Sequence, residues 1–399
     1  MTRTGTLPND PEQPASRRRL ATARVCTSLA FVLIILFLAS VARFYHPDTG
    51  FTALIGFPAG DHFESPALHA IPHYEHPIWA SYDGQFYAQR AFDPLLRDPS
   101  IDHAMDSAPF RARRVLFSWT AYLLGLGRPA WILEAYALQN VICWLILAAL
   151  LTVWIAPTSP RGLAVWTACL FSHGLLWSVR FALLDGPSLV LIALAVATAE
   201  RGRSLLSAGI VGVAGLGRET NVLAVLAQPI PRDRRALQRV VVSLVVAALP
   251  IVIWYDYLRS IYRSTLMTSV SSFVVTGSGL VSGWQQVLSG VGQVGLFTGH
   301  GLFLCLLASL AVQAVYLAVR HEFGQPWWRV AAAYAVMMAF LHPTLVDPLT
   351  GAITRVMLPL TVGFNILLAS EPRPIRFWLW FAAGNLHLIG ASRVMPLFP

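Results

Sequence analysis

The chain has 399 residues, of which 56% are hydrophobic and only 12% charged. A soluble domain carries about 25% charged residues, so composition excludes a water-soluble fold and points to an integral membrane protein. The formal net charge is +9 and all 29 basic residues are arginine; they fall in short segments between apolar runs, as in cytoplasmic loops, which argues against a nucleic-acid surface.

Residues 1–22 read as a disordered cytoplasmic tail, rich in Pro, Thr and Asp up to residue 16 and carrying Arg17, Arg18 and Arg19. The apolar stretch Val25 to Ala42 is too long for a signal-peptide core, and no small-residue cleavage site follows it. It is expected to be a retained first transmembrane helix. A spanning helix needs about 20 mostly apolar residues. The sequence supplies such runs at 25–43, 131–155, 163–183, 240–257, 301–319, 328–345, 353–369 and 375–391, with a shorter one from Pro187 to Ala199.

The segment 205–229 is apolar but interrupted at Gly215-Leu216-Gly217-Arg218-Glu219. It reads as a broken helix or hairpin that enters and leaves on one side, because irregular backbone at membrane depth survives only against protein or a polar cavity. The expected fold is therefore all-α and polytopic. It is a single transmembrane domain over 23–399, with about 10–11 spanning helices.

Arginine placement sets the expected orientation. Arg17–Arg19, Arg161, Arg201, Arg203, Arg232, Arg234, Arg235, Arg239, Arg320, Arg329, Arg373 and Arg376 mark the inside, so the N-terminus is cytoplasmic and the C-terminus outside. Residues 44–128 then form a first extracytoplasmic loop too long for a connector. Its end, Pro109 to Gly127, reads as an amphipathic helix at the membrane boundary. A second extracytoplasmic segment spans 258–300, with an interfacial helix around Trp284 to Leu288. No solenoid repeat is present, and no GxxxxGK[ST] loop, so the chain holds no ATP-driven engine of that type. Cys26, Cys143, Cys169 and Cys305 each lie in an apolar run without CxxC spacing and read as small buried hydrophobes.

Five groups of residues carry potential chemistry. The first is Ser81-Tyr82-Asp83-Gly84-Gln85-Phe86-Tyr87, followed by Asp93-Pro94. A carboxylate shielded by aromatics has a raised pKa and suits a general base; the competing reading is an Asp-Gly turn. The second is Pro109-Phe110-Arg111-Ala112-Arg113-Arg114, whose guanidinium forks bind phosphate, either of a substrate or of lipid headgroups. The third is Gly217-Arg218-Glu219-Thr220-Asn221, where charge at membrane depth signals a cavity or a partner. Arg180 and Asp185 form the fourth, read as a structural pair. The fifth is His342-Pro343 with Asp347, and Arg355, a second phosphate ligand or a side chain snorkelling to the interface. His62, His69, His73, His76 and His103 crowd the first loop, but without HExxH or regular ligand spacing they imply no dedicated metal site.

The long first loop with Tyr82-Asp83-Gly84, the arginine-rich Phe110 to Arg114 and the many-helix bundle together resemble the GT-C glycosyltransferases. More narrowly, these motifs with Gly217-Arg218-Glu219-Thr220 resemble a bacterial branch linked to cell-surface glycopolymers. The resemblance implies inverting transfer of a sugar from a polyprenyl-phosphate donor to a hydroxyl on a lipid, glycan or protein, at the outer face of the bacterial cytoplasmic membrane. It maps the base onto Asp83. The substrate-binding set is Tyr82, Gln85, Tyr87, Arg111, Arg114, Arg218, Glu219 and Arg355, with cationic side chains stabilising the leaving phosphate. Many relatives carry two adjacent acidic residues in that loop. Here Asp83 stands alone, and Asp61, Glu64, Asp93 or Asp106 are the candidates for a second carboxylate. No cofactor and no nucleic-acid partner are implied; a divalent metal is the one open alternative, without ligand spacing to support it. The competing classes are a transporter or flippase for a lipid-linked or anionic solute, suggested by the broken helix at Arg218-Glu219, and a non-catalytic subunit of an envelope complex.

Overall fold

The computed structural model describes residues 13–60, 63–77, 82–262, 278–294, 299–346, 352–391 and 394. Helix α1 (Gln13–Ala42) opens the chain. Phe31, Val32, Ile35 and Leu36 are exposed on its flank, while Phe37 and Val41 pack inward. An apolar face of this size in water would drive aggregation; against lipid it is the natural outer surface. Helix α12 below repeats the pattern.

The long first loop is folded. A 3-10 turn at Thr52–Leu54 leads to strand β1 (Phe57–Pro58), helix α2 (Pro66–His69) and strand β2 (Glu75–His76). The two strands pair in parallel, with Phe57 opposite Glu75. Helices α3 (Gly84–Arg90), α4 (Pro99–His103), α5 (Ala108–Ala112) and α6 (Leu116–Leu124) complete it. The single amphipathic helix expected over Pro109–Gly127 is thus two helices, broken at Arg113 to Val115. The break lets Arg111 and Arg114 turn inward to separate partners.

The bundle follows with α7 (Pro129–Leu151), α8 (Pro160–Leu170), α9 (His173–Arg180), α10 (Asp185–Glu200) and α11 (Ser204–Gly217). After α11 the chain turns into a 3-10 helix, Glu219–Ala227. Then come α12 (Arg234–Tyr262), α13 (Ser278–Val294), α14 (Gly299–Val319), α15 (Pro326–Met338), α16 (Ala352–Val356), α17 (Leu358–Ala369), α18 (Pro374–Gly384) and α19 (His387–Ala391). Among the described residues four helices are long and apolar enough to cross a membrane: α1 from Arg18, α7, α12 and α14. The pair α8 and α9, bent by 44°, makes up to five.

Several apolar runs expected as continuous spans are broken. Residues 163–183 kink between α8 and α9, and 353–369 is split at Met357, with Pro359 in the first turn of α17 where a proline costs no hydrogen bond. Such breaks free carbonyls that must be satisfied within the protein. At the end of α18 the Gly384 carbonyl accepts from Ser309 Oγ (2.5 Å) and Gln313 Nε2 (2.8 Å).

The hairpin expected over 205–229 is present. Arg218 ends α11 with an extended backbone, φ −161° and ψ 132°, and the 3-10 helix runs back until Gln228 Nε2 donates to Ser204 O at 3.1 Å. The segment therefore enters and leaves at one end. That end also gathers arginines. Arg329 donates to the carbonyls of Leu226, Ala227 and Gln228, Arg203, Arg235 and Arg239 line one cleft, and Arg161 and Arg320 meet Glu371. Asp83 and its partners lie at the opposite end.

Candidate functional site

Asp83 precedes α3 with helical backbone angles and makes no capping bond from its side chain. The α3 start is pressed against neighbouring backbone: a Cβ on Gly84 would stand 2.1 Å from the Phe181 carbonyl oxygen and 2.9 Å from that of Ile55. Only glycine permits this approach. The Asp-Gly pair is therefore a docking point that aims the Asp83 carboxylate into the protein, where Arg111 Nη2 donates to Oδ1 at 2.9 Å.

Arg111, on α5, is a hub. Its Nε and Nη2 grip Asp106 at 2.9 and 2.7 Å, and Nη1 reaches the Tyr87 hydroxyl at 3.3 Å. Its guanidinium lies over the Phe86 ring, 4.6 Å from the centroid. Arg114 donates to Glu219 Oε2 at 2.9 Å and to the same Tyr87 hydroxyl at 3.4 Å. Arg218 is ion-paired with Asp185 Oδ1. Arg355, on α16, donates to the other Asp185 oxygen at 3.2 Å and to the Tyr82 hydroxyl at 2.9 Å. Tyr82 in turn stacks on Phe181, with centroids 4.8 Å apart. Helix α9 reaches α16 closely because Gly174 faces the Thr354 carbonyl, 2.3 Å from where a Cβ would be.

Four arginines and four carboxylates thus meet at one end of the bundle, and their pairing is uneven. Arg111 carries two carboxylates, Asp83 and Asp106, and leaves one negative charge in excess. Arg114 and Glu219 balance. Arg218 and Arg355 share Asp185 and leave one positive charge in excess. The excess positive pair is the deeper one: the Arg218, Arg355 and Asp185 side chains are 14%, 8% and 3% exposed, against 41% for Asp83 and Asp106. A small cavity beside Arg218, Asp185, Tyr334 and Arg355 has room for one water molecule at most.

The expectation of a raised Asp83 pKa is corrected. Burial pushes the carboxyl up, but the guanidiniums of Arg111 and Arg355, the hydrogen bond from Arg111 and the charge of Arg114 outweigh it and hold the group at about 2. Ion pairing, not aromatic shielding, sets its protonation. Arg111 is likewise held above its ordinary value: burial works against its charge, and Asp83, Tyr87 and Asp106 overcome that.

Of the residues singled out from sequence, Tyr82, Asp83, Tyr87, Arg111, Arg114, Arg218, Glu219 and Arg355 converge here, and Gln85 is buried in α3. Asp106 is the second carboxylate beside Asp83. Asp93 instead accepts from the Arg97 and Asp98 backbone amides, and Asp61 lies outside the described residues, as do Ser81, His62 and Asp347. His342 turns to Thr344. The expected Arg180–Asp185 pair gives way to other partners. Arg180 donates to Ala53 O at 3.0 Å between the Phe44 and Phe181 rings, while Asp185 bridges Arg218 and Arg355. Sequence reading missed that bridging role; the signal for it was one carboxylate at the start of an otherwise apolar helix. Arg111 and Arg114 are buried among carboxylates and not spread on a bilayer surface. No protein-family model, curated protein or solved structure matches this chain.

Proposed function

We propose that the protein is a GT-C-type glycosyltransferase. It transfers a sugar from a polyprenyl-phosphate donor to a hydroxyl on a lipid, glycan or protein acceptor, with inversion, in bacterial cell-envelope glycan synthesis. The arginine-rich end of the bundle faces the cytoplasm and the Asp83 end the extracytoplasmic side. The observation that carries the reading is the convergence of Asp83 with four guanidiniums drawn from segments spread over Tyr82 to Arg355.

The uneven pairing supports a division of labour. Arg218 and Arg355, with one positive charge to spare, suit the single negative charge of a polyprenyl phosphodiester and stabilise the phosphate as it leaves, once the side chains around the one-water cavity beside them move aside to admit it. Asp83 sits on the side with excess negative charge and is the more open group, suited to accept the proton of the acceptor hydroxyl. When the donor phosphate takes up Arg355, Asp83 loses part of the charge that holds its pKa down and becomes a better base. The carboxylate is thus restrained until the donor arrives.

A transporter is the second reading, favoured by the α11 hairpin and its charged tip. Because Arg218 and Asp83 belong to one network, comparing their variants does not separate the readings. Turnover in detergent does, since micelles have no compartments to transport between. The purified protein is given polyprenyl-phosphate and polyprenyl-diphosphate sugars with candidate hydroxyl acceptors. Envelope glycans are compared by mass spectrometry between a deletion strain and strains carrying wild-type or Asp83→Asn protein at equal expression. The enzyme reading expects release of polyprenyl phosphate in micelles, preference for the monophosphate donor, and a glycan that returns with wild type only. Full restoration by Asp83→Asn sinks it.

A further inference from the structure

We propose that Glu64, His73 and Glu75 form a binding site for one divalent metal ion of the zinc type, which staples the Glu64 segment to the chain at β2 within the first extracytoplasmic loop. Each of the three offers a ligand atom, and these atoms lie within 4.8 Å of one another. A metal bonded at about 2.1 Å holds tetrahedral ligands about 3.4 Å apart, so closing on the ion takes side-chain adjustment of about an ångström.

The local fold prepares the ligands. His73 and Glu75 stand two residues apart on the chain entering β2, and their ligand atoms come together beside Glu64. The His73 ring packs edge-on against Phe57, which pairs with Glu75 across the two-stranded sheet. His73 Nδ1 lies 2.8 Å from the Ile71 carbonyl oxygen, which can only accept, so the proton sits on Nδ1. In the neutral ring Nε2 then offers its lone pair. That Nε2 is buried and has no hydrogen bond, in a side chain only 7% exposed, and it points at Glu64 Oε1, 3.8 Å away. A buried acceptor left without a partner is costly, and a cation between it and Glu64 removes that cost.

Glu64 is held with equal care. Gln89 in α3 accepts from the Ser65 amide at 2.8 Å and donates to the Phe63 carbonyl at 2.7 Å, clamping the backbone on both sides of Glu64. Glu64 Oε2 takes His69 Nδ1 at 3.1 Å, leaving Oε1 for the metal. An outer histidine on one carboxylate oxygen and a carbonyl on the far nitrogen of a ligating histidine are the partners a metal site uses to orient its ligands. Two carboxylates and a neutral imidazole neutralise a doubly charged ion, and this mixed N/O set suits Zn²⁺. The clamp on Gln89 ties the site to the helix that begins at Asp83. The role is structural, since none of these residues touches the arginine cluster's ion pairs.

The full-length protein, tag removed and purified in detergent, is stripped with chelator and re-equilibrated with Zn²⁺. Bound metal is counted by elemental mass spectrometry and the melting temperature measured with and without Zn²⁺. One ion per chain is expected, with a melting temperature raised by several degrees. Glu75→Gln, at an exposed position that leaves folding intact, and His73→Gln should each weaken zinc affinity at least about tenfold and abolish the shift, whereas His321→Gln should change neither. If the wild type binds no stoichiometric zinc, or if Glu75→Gln and His73→Gln bind it as tightly as wild type, the proposal fails and Glu64 is held by its histidines alone.

Discussion

Asp185→Asn tests how charge is divided between the deep and the shallow side of the cluster. Asp185 is 3% exposed and is the carboxylate bonded to both Arg218 and Arg355, themselves 14% and 8% exposed. Neutralising it leaves two guanidiniums in a dry environment. Arg355 keeps the Tyr82 hydroxyl, so the cost falls mainly on Arg218 and amounts to about 3–5 kcal/mol. That is a large share of a typical folding free energy of roughly 5–15 kcal/mol. Asp83→Asn is the contrast. Its side chain is 41% exposed, and Arg111 retains two bonds to Asp106, so the stability loss stays under about 1 kcal/mol. The readout is a melt followed by tryptophan fluorescence in a single detergent. Asp185→Asn should lower the midpoint by on the order of 5–10 °C, and Asp83→Asn by no more than about 3 °C. Equal midpoints for Asp185→Asn and wild type, or equal losses in both variants, would refute the partition of charge.

Gly84→Ala should cost about 1–3 kcal/mol, because its methyl runs into the Phe181 and Ile55 carbonyls; a lowered melting temperature with donor turnover reduced in parallel is the expected result, and a wild-type profile would contradict the close approach. Tyr87→Phe removes a hydroxyl that sits at long range, 3.3 and 3.4 Å, from Arg111 and Arg114. Steady-state donor cleavage should fall less than about tenfold, and a much larger drop would put Tyr87 in the chemistry itself. For pH, Asp83 is depressed from 3.8 to about 2, so its ion pair stabilises the fold fully above about pH 4 and is lost as pH falls through about 2. kcat/KM, which reports the free enzyme, should therefore show no acidic limb from Asp83 above about pH 4. The kcat limb, which reports the donor complex, should lie at higher pH because the phosphate occupies Arg355. Coincident limbs would mean that the donor does not compete for that arginine.

Sequence reading located the elements governed by length and composition. The α1 span and the hairpin at Arg218 follow from rules that act locally: about 20 apolar residues to cross lipid, and no irregular backbone without protein around it. The kinks were not legible because their compensation is tertiary. Nothing near Gly384 in sequence indicates that Ser309 and Gln313, some 70 residues earlier, satisfy its carbonyl. The proposed metal set was legible only in part, for a similar reason: His73 was weighed among the loop histidines and Glu64 as a second carboxylate, whereas Glu75 drew no attention. Glu64, His73 and Glu75 match no regular spacing; a two-residue parallel pairing and the Gln89 clamp bring them together.

The arginine cluster was legible in its members and not in its pairing. A charge in a chain with 12% charged residues is costly enough to need a reason, so Asp83, Arg111, Arg114, Arg218, Glu219 and Arg355 drew attention one by one. Asp185 was matched to Arg180, five residues away, when its partners lie 33 and 170 residues distant. The correct pairing changes what the site can do. Eight charges cancel over the cluster as a whole, and each guanidinium has a carboxylate. Yet the surplus is split between a deep positive pair and a shallow negative one, so an anion gains by entering at Arg218 and Arg355 and a proton gains by reaching Asp83. The asymmetry of pairing, more than the number of arginines, is what supports the proposed reading, in which an anion is drawn to the deep pair and the acceptor proton to Asp83.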